Sequence, residues 1–492
     1  MKAIMVQGTA SDVGKSVICT ALCRILANEG YRVAPFKSQN MALNSYITED
    51  GGEIGRAQGV QAEAARTIAT TDMNPILLKP KGDMVSEVIV HGKPFANMDA
   101  VSYREQFVEE VMPLVRSSLQ RLSQQYDVLV LEGAGSPAEI NLKARDIANM
   151  RMAHETDAAV ILVADIERGG VFASIVGTLM LLDEAERARV KGIIINKFRG
   201  MKELLDSGIT WLEEYTNIPV LGLIPHIDVQ IEAEDSMALS SLRLKKPQAE
   251  EFPIDVAVIC FPRISNFTDL DPLMDEPQVG VRFVKSVAEL KNPTVIILPG
   301  TKNTVEDYEW LEKTGLAQAI QQHVQKGTYI FGICGGYQML GETLIDEEAI
   351  EASGGRTKTL GLVPLETVFV AEKQTVQVSG QLSTGEQVTG YEIHLGRTRA
   401  NDLVKPFVQL HDGRTDGVRS DDDRMIGTYL HGIFHNRQFT RNYFNRIRLE
   451  KGLATIDTAV QSEAERREQA YEMLDVHVRR HLNMELLYTL IT

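Results

Sequence analysis

The run Tyr329-Ile-Phe-Gly-Ile-Cys-Gly-Gly-Tyr-Gln338 confines its part of the chain to one local geometry, a short apolar strand that ends in Cys334 and turns at once into a helix. Gly332, Gly335 and Gly336 frame the cysteine with residues that tolerate a strained backbone and close approach, the build of a nucleophile elbow. A thiol at such a turn stands at a helix start, where backbone N–H groups and the helix dipole favour the thiolate.

Around this elbow the chain reads as two α/β patterns. Residues 1–235 alternate short β-branched runs, at 3–6, 32–36, 128–131, 159–163 and 192–195, with helix-length segments. Near-continuous apolar strands separated by helices imply a parallel sheet covered on both faces. Residues 236–252 turn polar, with Lys245-Lys246-Pro247 and Glu250-Glu251, and read as a linker. The second pattern occupies 253–445, with strands expected at 254–260, 295–298 and 329–331 and one helix over 305–326. Residues 446–492 become charged and helical, and the spacing of Leu482, Leu486, Leu487 and Leu490 predicts a helix packed on a domain or on a second subunit. The expected fold class is α/β, with two domains, each a mostly parallel sheet flanked by helices.

A chain of 492 residues suffices for two or three cores. The formal net charge of −16 argues against nucleic acid or an anionic membrane as partner, while a local basic pocket could still hold an anionic ligand. The four cysteines, Cys19, Cys23, Cys260 and Cys334, are too few for a disulfide framework, so a reducing cytoplasm is expected, with Cys19 and Cys23 as core. The N-terminus runs from one apolar strand straight into a glycine loop, without a signal-peptide core. The longest apolar run, 158–164, falls far short of the ~20 residues that span a bilayer, so a soluble protein is expected.

Gly8-Thr-Ala-Ser-Asp-Val-Gly14-Lys15-Ser16 follows the first strand and precedes an amphipathic segment, the setting of a phosphate-binding loop. Gly8, Thr9, Asp12 and Gly14 would cradle phosphates, Lys15 would reach the terminal ones, and Ser16 would hold Mg²⁺. Five residues separate Gly8 from Gly14, one more than the general Walker pattern has. Glu132 ends an apolar strand before Gly-Ala-Gly135, where a carboxylate faces the ligand crevice, and is the second Mg²⁺ ligand; Glu53 and Asp12 are further candidates. Asn196 with Lys197, at another strand end, reads as an adenine contact or as a plain turn. Lys37, Gln39, Asn40, Asn44 and Lys79 offer cations and amides suited to an anionic polycarboxylate.

A thiolate nucleophile also needs a base and an oxyanion hole. His431, in Gly427-Thr-Tyr-Leu-His431-Gly-Ile-Phe434, is the candidate base. Backbone N–H groups of Gly300, in Leu298-Pro-Gly300-Thr-Lys-Asn303, and of Gly335 are the candidate oxyanion donors.

The lengthened loop and Glu132-Gly-Ala-Gly135 together resemble the dethiobiotin synthetase branch of P-loop enzymes, which activate a carboxyl-type group with ATP. That resemblance makes Ser16, Glu53 and Glu132 the magnesium ligands. Gly332-Ile-Cys334-Gly-Gly with the later His431 resembles class I glutamine amidotransferase domains. Those domains usually carry an acid two residues after the histidine; here Ile433 stands there, and the reading is a Cys-His dyad with His394 or Glu392 nearby. The missing acid is shared by the cobyrinate-type amidotransferases of cobalamin biosynthesis. Phe36-Lys-Ser-Gln-Asn-Met-Ala-Leu-Asn-Ser45, Met73-Asn-Pro-Ile-Leu-Leu-Lys-Pro80 and Tyr391-Glu-Ile-His-Leu-Gly-Arg-Thr398 are similar to that family, over essentially residues 1–445. The resemblance implies ATP and Mg²⁺ as cofactors, with glutamine and a corrinoid polycarboxylate as substrates. It further implies amidation of the b, d, e and g carboxylates of adenosylcobyrinic acid a,c-diamide. The alternatives are the sibling enzyme that makes the a,c-diamide and a P-loop regulatory ATPase with an inactive glutaminase-like binding domain.

Overall fold

A computed structural model describes residues 1–82, 85–103, 107–227, 252–352, 354–400 and 404–491. Residues 236–251 of the expected linker lie outside the described residues. The chain divides into two compact units, one of Met1–Ala42, Gly52–Glu232 and Ala464–Thr492, the other of Leu43–Gly51 and Ala233–Glu463.

The first unit is built on six strands in the order Val220–Pro225, Val190–Phe198, Ala159–Asp165, Lys2–Gly8, Val128–Glu132, Val33–Phe36, with every neighbouring pair parallel. Ile4, Met5 and Val6 of the central strand are wholly buried, as a sheet covered on both faces requires. The pairing of Val6 with Glu132 brings the strand-end carboxylate beside the mouth of the glycine loop. After the loop, the helix Lys15–Asn28 buries Ile18, Leu22 and Ile25 against this sheet's core. A smaller sheet of Gln39–Met41, Ile76–Gly82, Val85–Val90 and Lys93–Asp99 belongs to the same unit and had no counterpart in the sequence reading.

The chain's end completes that core. The helix Glu463–His481 contributes Tyr471, Leu474 and Val478, and Leu482, Leu487 and Ile491 follow them into the same cluster as Leu22 and Leu26. Arg24, with a fully buried side chain, pairs with Glu468 at 2.6 Å and Glu472 at 3.3 Å and lies 5.3 Å from the centre of the Tyr471 ring. A buried guanidinium is tolerable only when so paired, which ties the terminal helix to the nucleotide-loop helix in register. Of the two placements the leucine spacing left open, the helix takes the one on its own chain's first unit.

The second unit centres on Val279–Val284, Ile254–Ile259, Val295–Leu298, Tyr329–Ile333, Met425–Thr428 and Val418–Arg419, parallel except for the last pair. The single helix expected over 305–326 is two, Thr304–Lys313 and Leu316–Gln325, because Gly315 takes the left-handed conformation at φ 77°. A further sheet contains the antiparallel pair Leu365–Leu382 and Gln387–Ala400, which the alternating polar and apolar residues there did not announce. The helix Arg437–Glu450 runs across the expected boundary at 445. No helix among the described residues is long and apolar enough to cross a membrane.

Leu474 is wholly buried, whereas its neighbour Met473 is 55% exposed. Leu474→Ala is expected to cost ~2–5 kcal/mol, read as a lowered urea midpoint of the first unit. Met473→Ala should stay within ~0.5 kcal/mol of the parent.

Candidate active site

Cys334 ends the strand Tyr329–Ile333 and opens the helix Gly335–Met339 with φ 51° and ψ −109°, a conformation that costs a non-glycine residue energy and that close packing must hold. The packing is tight enough to require glycine on its C-terminal side: a Cβ on Gly336 would lie 1.9 Å from the Leu298 carbonyl oxygen. The Cys334 amide donates to the Thr428 carbonyl at 2.8 Å, fastening the elbow to the strand that leads into His431. The thiol Sγ lies 3.6 Å from the Ile393 carbonyl oxygen.

His431 is completely buried. Its Nδ1 lies 2.6 Å from Asp269 Oδ2, and the other carboxylate oxygen accepts the Gly432 amide at 2.8 Å. Backbone bonds to Tyr391 in both directions, at 2.9 and 3.1 Å, and ring stacking at 5.1 Å hold the imidazole from its other side. Because a carboxylate only accepts, Nδ1 carries the proton and Nε2 is the nitrogen left for the thiol. Nε2 is buried, and Cys334 is the neighbour whose hydrogen bond and charge act on the ring there. Burial works against the charged ring, but the charges of Asp269 and Cys334 and the bond to Asp269 outweigh it and raise the imidazole to about 10.

The constellation is therefore Cys334, His431 and Asp269. His394 and Glu392, which the sequence reading named near the dyad, lie on the strand beside it, but the acid that binds the ring is Asp269. Glu392 is engaged by Arg414 at 2.9 Å, and burial raises its carboxyl above the ordinary range. His394 faces the Gly396 carbonyl with Nδ1 at 2.7 Å and stacks on Tyr429 at 3.7 Å; burial pushes it down to about 3, so it stays neutral. Asp269 lies 162 residues before His431 in a short turn, where no spacing rule could have linked the two.

The two candidate oxyanion glycines adjoin. A Cβ on Gly335 would lie 3.3 Å from the Thr301 amide nitrogen, and one on Gly300 would lie 2.9 Å from Cε1 of His431. Both positions border the elbow and exclude any side chain.

In the first unit, Gly14 closes the loop with φ 99°, and a Cβ there would lie 2.2 Å from Asn196 Nδ2. That nitrogen donates to the Val13 carbonyl at 2.9 Å. Asn196 thus braces the phosphate loop through its amide nitrogen. Thr9 donates its amide to Val163 at 2.9 Å, and a Cβ on Gly8 would lie 2.6 Å from Val13 Cγ2. Asp12, at φ 59°, has its carboxylate 3.6 Å from Arg168. Lys15 reaches back over the loop, donating to Ala10 and Gly135 carbonyls at 2.9 Å each.

Ser16 Oγ donates to Glu132 Oε1 at 3.0 Å, and Lys37 pairs with the same oxygen at 2.9 Å. Burial opposes ionisation of Glu132, but Lys37, the Gln61 amide and Lys15 hold its carboxyl below the usual range. A hydroxyl and an ionised carboxylate meeting at the loop fit magnesium, a hard cation that completes its shell with phosphate and water oxygens. Among the described residues no group of three His, Cys, Asp or Glu side chains could hold a metal by itself. Glu53 pairs with Lys79 at 2.6 Å, both nearly fully buried.

The five expected substrate residues divide between the units. Lys37 and Lys79 pair as above, Gln39 accepts from Tyr103 at 2.7 Å, and Asn40 donates to Gln58 at 2.9 Å, all in the first unit. Asn44 belongs to the second, where its Oδ1 accepts the Phe267 amide at 3.1 Å.

Comparison with known proteins agrees with this two-part chemistry. Residues 4–239 match the CobQ/CobB/MinD/ParA nucleotide binding domain and residues 255–439 the CobB/CobQ-like glutamine amidotransferase domain. The chain is 52% identical to Cobyric acid synthase of Geobacillus sp. (strain WCH70), over 98% of this chain and 96% of that one. It is 50% identical to Cobyric acid synthase of Anoxybacillus flavithermus (strain DSM 21510 / WK1), over 98% and 95%. The corresponding protein of Listeria monocytogenes serotype 4b (strain CLIP80459) is 47% identical, over 99% and 96%. With half its residues identical along nearly its whole length, the chain belongs to the cobyric acid synthase family.

Proposed function

We propose that this chain is a cytoplasmic enzyme that uses ATP, Mg²⁺ and glutamine to amidate the b, d, e and g carboxylates of adenosylcobyrinic acid a,c-diamide. The product is adenosylcobyric acid. The observation that carries this reading is the buried Cys334–His431–Asp269 constellation on one chain with a phosphate loop at which Ser16 meets Glu132. The names of its relatives support the choice of acceptor.

In the glutaminase half, Cys334 attacks the side-chain amide carbon of glutamine. The proton held between thiol and imidazole passes from His431 Nε2 to the departing ammonia. Asp269 keeps Nδ1 protonated and offsets the charge on the ring, as the acid of a Ser-His-Asp triad does. The oxyanion of the tetrahedral intermediate falls to the amides of Gly300 and Gly335. Water, deprotonated by His431, then cleaves the glutamyl thioester and releases glutamate.

In the synthase half, Lys15 and the loop amides would hold the phosphates, and Ser16 and Glu132 would hold the magnesium that neutralises their charge. Phosphorylating a carboxylate gives it the leaving group it otherwise lacks, and ammonia displaces phosphate to form the amide. Asn196 bonds to Val13 of the loop and, with Gly14, keeps the loop in shape.

With MgATP, glutamine and the a,c-diamide, product mass should fall in successive steps of a hydroxyl replaced by an amino group, one for each of the b, d, e and g carboxylates. Cys334→Ala should abolish glutamine-dependent amidation and leave ammonia-dependent amidation intact. Glu132→Gln should abolish both. An unchanged mass with the parent enzyme would refute the acceptor assignment.

Asp269→Asn should lower kcat for glutamate release by about 10²–10⁴, the scale of losing the acid of a triad. The pH profile carries the sign. His431 is raised to about 10, so its proton is available to ammonia up to that range, and glutamate release should fall as pH rises through it. Without the carboxylate charge, the alkaline limb should move to lower pH. The pair's contribution to stability is likewise complete below the ordinary imidazole value of about 6.5 and is lost as pH rises through about 10.

A further inference from the structure

The segment Leu43–Gly51 lies in sequence between stretches of the first unit but belongs to the second. Its neighbours along the chain, Gln39 and Asn40 on one side and Glu53 on the other, are first-unit residues. Within the second unit the segment meets the turn that carries Asp269 through two reciprocal hydrogen bonds. Phe267 donates its amide to Asn44 Oδ1 at 3.1 Å, and Ser45 donates its amide to Asn266 Oδ1 at 3.0 Å. Asn44 is completely buried and Asn266 is 3% exposed, so neither bond competes with water.

Asn266 holds the left-handed conformation at φ 50° and starts the short 3-10 helix Phe267–Leu270, in which the Asp269 amide bonds back to the Asn266 carbonyl at 3.1 Å. The preceding residue, Ser265, donates its amide to the Gly300 carbonyl at 2.9 Å, the glycine that abuts the His431 ring. Asp269 is therefore aimed from two sides. His431 and Gly432 bind its carboxylate, and the Asn44–Ser45 clasp fixes the backbone that bears it. The segment is also fastened farther along, where Gln377 donates to the Ile47 carbonyl at 2.7 Å.

We infer that Asn44 is a positioning residue for the glutaminase: its clasp sets Asp269, and through Asp269 the proton on His431. The inference rests on reading Cys334, His431 and Asp269 as a glutaminase. It replaces the expectation that Asn44 binds the acceptor substrate.

The test uses the full chain and follows glutamate release, with ammonia-dependent amidation measured in parallel. Misplacing a catalytic group by about 1 Å can cost on the order of 100-fold, so Asn44→Ala should lower kcat for glutamate release by about 10- to 100-fold. The KM for glutamine should hold, and the alkaline limb of the pH profile should shift to lower pH. Ammonia-dependent amidation should be unaffected. Asn266→Gly keeps the left-handed backbone and removes only the acceptor for Ser45, and should act in the same direction. Asn44→Asp retains an oxygen for the Phe267 amide and should restore most of the rate.

Parental kcat and pH profile in both Asn44→Ala and Asn266→Gly would overturn the inference. So would an equal loss of ammonia-dependent amidation, which would return Asn44 to the acceptor site. Glutamate release is measured whichever carboxylate is amidated, so failure of the acceptor assignment is read separately, from product mass alone.

Discussion

The 2.6 Å contact between His431 and Asp269 is the interaction around which the second unit is arranged. Removing an imidazolium and a carboxylate from water is costly, and only close geometry with further hydrogen bonds makes the pair stable. The surroundings follow from that requirement. Gly432 supplies its amide to the second carboxylate oxygen, and Tyr391 brackets the histidine backbone. Gly300 lacks the Cβ that would strike the ring. The reward of so buried a site is an imidazole that keeps its proton at neutral pH with Nε2 aimed away from its acid, which is what delivery of a proton to ammonia requires.

The two units solve a common problem at the C-terminal ends of their strands. Each must bring backbone amides and one reactive side chain to a point where a strand passes into a helix. In the first unit the reactive groups lie beyond the bend, so glycine can take the left-handed position: Gly14 at φ 99°, just ahead of Lys15 and Ser16. In the second unit the reactive group must occupy the bend itself, so Cys334 takes φ 51° and the strain is retained. What makes that strain affordable is visible next door, where Gly336 packs so closely on Leu298 that a Cβ would overlap its carbonyl. Nucleophile and phosphate loop are thus alternative uses of one local structure.

Legibility in the sequence followed locality. The phosphate loop and the elbow are written in consecutive residues, and their strands, helices and reactive atoms could be named before any fold was known. The terminal leucines announced a buried helix face, but the surface that receives it is read from the fold, where Leu482 and Leu487 join the core of Leu22 and Leu26 and Arg24 pairs with Glu468 and Glu472. Asp269 was illegible because its role is defined by a partner 162 residues away, while the family pattern drew attention to Ile433, beside the histidine. For Asn196 the strand-end position suggested a ligand contact or a plain turn, and what the sequence did not announce is the bond of its amide nitrogen to Val13 of the loop. The break at Gly315 was missed because one left-handed residue interrupts an otherwise continuous apolar period.

The lysines assigned to an anionic acceptor show how an acidic chain keeps cations inside. Lys37 and Lys79 are almost wholly buried, and each is matched by a buried carboxylate, Glu132 and Glu53. In each pair the opposite charge offsets part of the cost of burying the other. The Lys37 pair has a second consequence, since its carboxylate also accepts from Ser16. Lys37 therefore lowers the proton affinity of Glu132, an acidic group at the loop that a hard cation needs ionised. A residue chosen in the sequence for its charge toward substrate thus acts, in the fold, on the state of the nucleotide site.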